Sequence, residues 1–237
     1  MSRLIKIVKF IFWFTFLYLI INFVTPFSKY FLTRSIQNQI NYLSKHLDEG
    51  YDDQLQTKYP EGKVFSNAIL ALSIIEYCNK NDNFNPEFSK IVDSCIQRLQ
   101  SEKALTHFEK NISPEYGMFY NGWVNYVLVS YTKTALFHFS TLQKEIHASK
   151  QKIECELLEA QCDSIKVLES YSASCWPADN ILGISSIHDS VIKQQWLDKL
   201  FAETKHQKRL INHICNDLTT ARGSSSALIT YFLITTN

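Results

Sequence analysis

Apolar and polar positions alternate along this chain on two scales, and the longest apolar run comes first. Phe10 to Phe27 reads FIFWFTFLYLIINFVTPF, eighteen residues without a charge and with only Thr15, Asn22 and Thr25 as mild polar breaks. A run of that length can span a thin or average bilayer. Arg3, Lys6 and Lys9 precede it, Lys29 and Arg34 follow it, and no small-residue cleavage site of the A-x-A kind comes after it. The pattern therefore predicts an uncleaved membrane anchor over 1–29 and a single-pass protein. The lean of the positive charges puts the N-terminus in the cytoplasm and the domain, 30–237, on the periplasmic or luminal side.

Past the first run the chain alternates between two kinds of predicted helix. Four apolar helices each follow a loop dense in Gly, Pro, aromatic and polar residues: KYPEGKVFSNAILALSII from Lys58, SPEYGMFYNGWVNYVLVSY from Ser113, SYSASCWPADNILGISSI from Ser170 and TTARGSSSALITYFLI from Thr219. With helix starts near Val64, Phe119, Asp179 and Gly223, the steps are 55, 60 and 44 residues, each the length of a helical hairpin with its connections. Between them lie amphipathic helices at about Thr33 to Leu47, Pro86 to Leu99, Leu142 to Leu168 and Asp189 to Phe201. In the second of these, Phe88, Ile91, Val92, Cys95, Ile96 and Leu99 recur every three or four residues, so one face covers a core. AILALSII, from Ala68 to Ile75, has hardly a polar break and calls for burial on most sides.

Apolar helices inside and amphipathic helices outside make a ring of hairpins, with the loops before the inner helices gathered at one end. In this arrangement, and in the residues YPEG, YGMFYNGW, CWPADN and ARGSS at successive inner-helix starts, the chain from Lys58 to Asn237 resembles the six-hairpin α/α-toroid proteins. That group includes the six-hairpin glycosidases and the linalool dehydratase/isomerase type of domain. The resemblance implies an all-α fold of hairpins in a toroid. Four hairpins are visible where a closed toroid of that group has six, so the expectation is a partial toroid whose open edge is covered by a protein partner or by self-association.

Composition narrows the function classes. The 237 residues, 46% of them hydrophobic, suffice for one sizeable core. Six Gly and five Pro favour long helices over a turn-rich β-sandwich. Lys and Arg number 24 against 23 Asp and Glu, so no basic field exists to hold nucleic acid. The six cysteines show no CxxC or Cys/His spacing, and Cys155 and Cys162, two helical turns or about 10.5 Å apart along an axis, are too distant for a disulfide. His107, His138, His188 and His213 are isolated, and GxGxxG, Walker A and GxSxG patterns are absent. No metal and no cofactor is expected.

The loops before the apolar helices carry the chemistry that remains. In CWPADN, Trp176 offers a stacking platform, Pro177 stiffens the turn and Asp179 stands at a helix start. There the orphan amides both explain an aspartate structurally and would keep it ionised as a general base, with Asn180 orienting a substrate hydroxyl. Glu61 in YPEG is the second carboxylate, since cleavage or elimination at a sugar needs a donor and an acceptor, and Glu115 in SPEYG competes for that role. Tyr116, Tyr120 and Trp123 are stacking candidates that also suit a core, and Arg222 can aim a fixed fork at a carboxylate of the substrate or of Asp179. The expected function is acid/base catalysis on a glycan or other small hydroxylated substrate, by a glycosidase-like hydrolase or a lyase/dehydratase. The alternative is a non-catalytic interaction or binding protein.

Overall fold

A computed structural model describes the backbone of residues 2–204, 206–207, 210–212, 214–215 and 223–235, and the side chains of 10–21, 31–204, 212, 214–215 and 226–234. The chain divides into two compact units, 1–49 and 50–237. The first is one uninterrupted helix, α1 (Ser2–Asp48). Aromatic rings four positions apart meet along its surface, Phe10 with Phe14 and Phe12 with Phe16, each pair at 6.2 Å between centroids.

The membrane expectation is corrected here. Among the described residues no helix is long and apolar enough to cross a membrane. Beyond Phe31 and Leu32 the same helix runs on through Thr33, Arg34, Gln37 and Asn38, so it does not keep to the apolar run. The transmembrane helix, the single-pass placement and the periplasmic or luminal localisation are therefore withdrawn.

The second unit is built of helices: α2 (Tyr51–Lys58), α3 (Gly62–Asn81), α4 (Pro86–Leu99), α5 (Glu102–Leu105), α6 (Gly117–Thr132), α7 (Gln143–Glu159), α8 (Pro177–Ser186), α9 (Ser190–Glu203) and α10 (Gly223–Thr235). A 3₁₀ turn, Ala135–Phe139, follows α6, and His206–Gln207 pairs antiparallel with Leu210–Ile211 in a two-residue ladder. The helix starts follow from local chemistry. Asn85 accepts from the Glu87 amide at 2.9 Å with Pro86 in the first turn of α4, and Asp189 accepts from the Val191 and Ile192 amides at 2.9 Å to begin α9.

Helical hairpins are the packing unit. The apolar helices α3, α6, α8 and α10 pack one against the next in that order, and α4, α7 and α9 pack on α3, α6 and α8. Every residue of α8 is buried, and α6 is buried along both faces, from Gly117 to Tyr131. The amphipathic α4 buries Phe88, Val92, Cys95, Ile96 and Leu99, the stripe its periodicity predicts. Leu142 to Leu168 departs from expectation: α7 ends at Glu159, where Gln161 binds the Lys166 amide and carbonyl, both at 2.9 Å, and closes a loop.

Two buried polar clusters fix the periphery. Lys63 donates to Asp52 at 2.9 Å and to Asp53 at 2.7 Å, and Asn67 donates to Asp52 at 3.0 Å, tying α2 to α3. Asp93 on α4 accepts from Ser140 Oγ at 2.7 Å, the Thr141 amide at 3.0 Å and Oγ1 at 3.2 Å, and Tyr131 at 3.2 Å. Such bonds hold buried carboxylates that would otherwise be costly to desolvate.

The tightest approaches lie around α6. A Cβ on Gly117, which has φ +77°, would stand 2.3 Å from the Ser170 carbonyl oxygen, whereas a Cβ on Gly50, at φ +84°, would meet nothing within 4 Å. Gly117→Ala should therefore destabilise the fold by about 2–4 kcal/mol and Gly50→Ala by only about 1–2 kcal/mol. Equilibrium urea unfolding of the two variants measures the difference, and equal losses would remove the steric argument.

Candidate functional site

The loop that leads into α8 brings the candidate chemistry together. Between Ser170 and Ser174 it turns back on itself: the Ser170 and Tyr171 amides donate to the Ser174 carbonyl at 2.8 and 3.1 Å, and the Ser174 amide returns to Tyr171 at 2.9 Å. Ala173 takes the left-handed conformation the turn requires, with φ 56°. The Met118 amide, at the start of α6, donates to the Glu169 carbonyl at 2.8 Å and fixes this loop to that helix. Tyr171 is thereby set among the rings of Trp176, Phe108 and Phe119, at 5.4, 6.1 and 6.1 Å.

Tyr171 donates its phenolic hydrogen to Glu61 Oε1 at 2.8 Å, across 110 positions of sequence. Glu61 is the N-cap residue of α3, yet its side chain does not cap that helix, which leaves the carboxylate for the tyrosine. Burial first, then the bond to Glu61 and the charges of Glu61 and Asp179, push the Tyr171 hydroxyl far above its ordinary range. Glu61 and Tyr171 are half-buried, and Asp179 is buried at 3% exposure.

Asp179 lies in the first turn of α8, after N-cap Trp176 and Pro177. Its Ser170 partner hydrogen-bonds to the carboxyl, and Ser170 Oγ also accepts from the Trp176 amide at 3.2 Å. Oδ2 of Asp179 has no hydrogen-bond partner among the described residues. Burial raises its pKa to about 7; the Glu61 charge adds to the rise and the Ser170 bond opposes it. The expectation of an aspartate kept ionised by the helix amides is thus reversed, because desolvation dominates. Protonated near neutral pH, Asp179 suits a proton donor.

The remaining sequence candidates are placed elsewhere or already engaged. Asn180 is fully buried: Nδ2 donates to the Leu168 and Trp176 carbonyls at 2.9 and 3.1 Å, and Oδ1 accepts from the Leu168 amide at 2.9 Å and Trp196 Nε1 at 3.1 Å. It is a fastening for α8 and is not available to a substrate hydroxyl. Tyr120 donates to the Leu99 carbonyl at 3.2 Å and, with Tyr116 and Glu115, lines a small cavity of 210 Å³ against α7. Trp123 lines a larger cavity of 540 Å³. Neither of these two cavities is lined by Glu61 or Asp179. Arg222 lies outside the described residues. Trp176, half-buried, donates Nε1 to Ser174 Oγ at 2.9 Å and keeps its ring beside Tyr171.

Sequence reasoning passed over Tyr171, Ser170 and a thiol pair. SYSAS carries no catalytic pattern, and only the fold brings Tyr171 to Glu61. Cys175 and Cys215 hydrogen-bond to one another, and the Cys215 amide donates to the Cys175 carbonyl at 2.8 Å. The mutual bond raises the Cys175 thiol and lowers that of Cys215. No group of acidic, histidine and cysteine side chains suited to a metal occurs among the described residues.

Comparison of the chain with protein families, with curated proteins and with solved structures finds no match. The all-helical hairpin architecture and the Glu61–Tyr171–Asp179 cluster are therefore what bears on function.

The raised pKa of Asp179 has a direct consequence for stability. The folded chain keeps this proton up to about pH 7, whereas an unfolded aspartate releases it near its ordinary 3.8. The stabilisation is complete below that lower value and is lost as pH rises toward 7, a swing of roughly 4 kcal/mol at most. Relative to wild type, Asp179→Asn should gain stability between pH 4 and pH 8. Urea unfolding of both proteins across that range checks it, and a pH-independent difference would show that Asp179 titrates normally.

Proposed function

We propose that residues 50–237 form an acid/base enzyme that acts on a glycan or other small hydroxylated substrate, on a partial α/α-toroid frame. The observation that carries this reading is the bond from Tyr171 to Glu61, with the buried carboxyl of Asp179 near enough for its charge to act on both. Cleavage or elimination at a glycosidic carbon needs one group to protonate the departing oxygen and another to accept a proton. Asp179, with its raised pKa and bare Oδ2, takes the donor role, and Glu61 the acceptor role. Tyr171 holds Glu61 in place and can relay its proton. Trp176 presents an aromatic face beside the cluster for stacking on a sugar ring. The row α3, α6, α8, α10 backed by amphipathic helices supports the toroid frame, in which inner-helix starts gather at one end.

A second reading, a binding protein without catalysis, is favoured by one observation: the 540 Å³ cavity is lined by residues other than the carboxyl pair.

A panel of 4-methylumbelliferyl glycosides separates the two. Wild type is expected to release the fluorophore, with Asp179→Asn and Glu61→Gln each slower by about 100-fold or more, and Trp176→Ala raising KM more than it lowers kcat. No release by wild type, or release that both carboxyl variants retain, overturns the catalytic reading in favour of the binding one.

A further inference from the structure

The 540 Å³ cavity lies between α3, α6 and α10, with α8 and α9 at its edge, and has a size typical of a small-molecule site. Its aromatic lining is Trp123, Tyr126, Tyr231 and Phe232, with Phe232 edge-on to Tyr126 at 4.8 Å and to Trp123 at 6.0 Å. Ile69, Leu72, Ile75, Val129 and Leu228 add aliphatic surface, and Ser73, Asn79, Ser130 and Ser185 add small polar groups. Two cations, Lys133 after α6 and Lys193 on α9, line the same cavity. Glu76 also lines it, but its carboxylate is bound to Lys80 at 2.9 Å.

The two lysines are close enough to act on one another. Burial, and after it the charge of Lys133, hold the Lys193 ammonium below its ordinary range, while Glu154 acts in the opposite direction. Glu154 is itself engaged, since its Oε1 accepts from the His188 amide at 2.6 Å and meets His188 Nδ1 at 2.8 Å. Among the described residues neither lysine forms an ion pair with a carboxylate. A hollow with an aromatic and aliphatic lining and two ammonium groups outside any ion pair is complementary to a molecule with an apolar chain and one anionic end.

We propose that this cavity binds a single-chain amphiphilic carboxylate, with the hydrocarbon against Trp123, Tyr126 and Phe232 and the carboxylate held by Lys133 and Lys193. The site is separate from the Glu61–Tyr171–Asp179 cluster and does not depend on the acid/base reading.

Isothermal titration of the full chain with dodecanoate, below its micelle concentration, tests the assignment, with dodecanol as the uncharged control. One dodecanoate per chain is expected, with dodecanol weaker by about tenfold or more. The double variant Lys133→Gln/Lys193→Gln should lose a similar factor, with helix content and melting midpoint unchanged by circular dichroism. Ser73→Trp, which fills the cavity from α3, should abolish binding; Ser130→Phe does the same from α6 if the first variant fails to fold. Dodecanol binding as tightly as dodecanoate removes the role of the lysines. Undiminished binding in the filled variants assigns the ligand to the exposed aromatics of α1 and overturns the proposal.

Discussion

Close backbone approach between α6 and α8 is the constraint on which the second unit depends. A Cβ on Gly122 would stand 2.9 Å from the Asp179 carbonyl, and one on Gly183 would stand 2.3 Å from the Met118 terminal methyl. Along this line the two helices meet with almost nothing between them but Met118, and Asn125 adds a bond to Ser186 Oγ at 2.9 Å. Because α3 packs on α6 and α10 on α8, the position of every inner helix follows from this seam. So does the place of Asp179, whose carbonyl is part of the contact and whose carboxyl looks toward Ser170 and Glu61.

Comparison of three buried aspartates shows why one of them invites chemistry. Asp52 has the Lys63 ammonium and the Asn67 amide, and Asp93 has four donors from three residues. Both are compensated in place and serve as fastenings. Asp179 is as deeply buried, with Ser170 as its hydrogen-bond partner and one oxygen bare. An unequal provision of donors, rather than burial alone, sets it apart.

Much of the architecture was legible because hydrophobic period reports directly on burial. The apolar helices begin within two residues of Val64, Phe119, Asp179 and Gly223, and α4 spans Pro86–Leu99 as its stripe indicates. What pattern could not supply was the partner of each polar side chain. Asn180 and Tyr120 looked free for a ligand and are occupied by internal bonds, and Tyr171, unremarkable in its loop, is bonded to Glu61. The protonation of Asp179 was not legible, since a helix start argues for charge while the depth of burial argues against it. The apolar N-terminal run misled because an uncharged stretch of sequence is not by itself a span: among the described residues no helix is long and apolar enough to cross a membrane.

The order of packing also bears on how this chain finds its fold. Each hairpin, such as α3 with α4, joins neighbours through a short connection, whereas the inner row joins helices whose starts lie 46 to 60 positions apart. Loop-closure entropy rises with the logarithm of loop length, and the seam further requires two backbones to reach contact distance before its packing is gained. The entropic burden of folding thus falls on the inner row and not on the hairpins. The same few glycines that bring α6 and α8 together then govern how quickly a collapsed set of hairpins becomes a single ordered core.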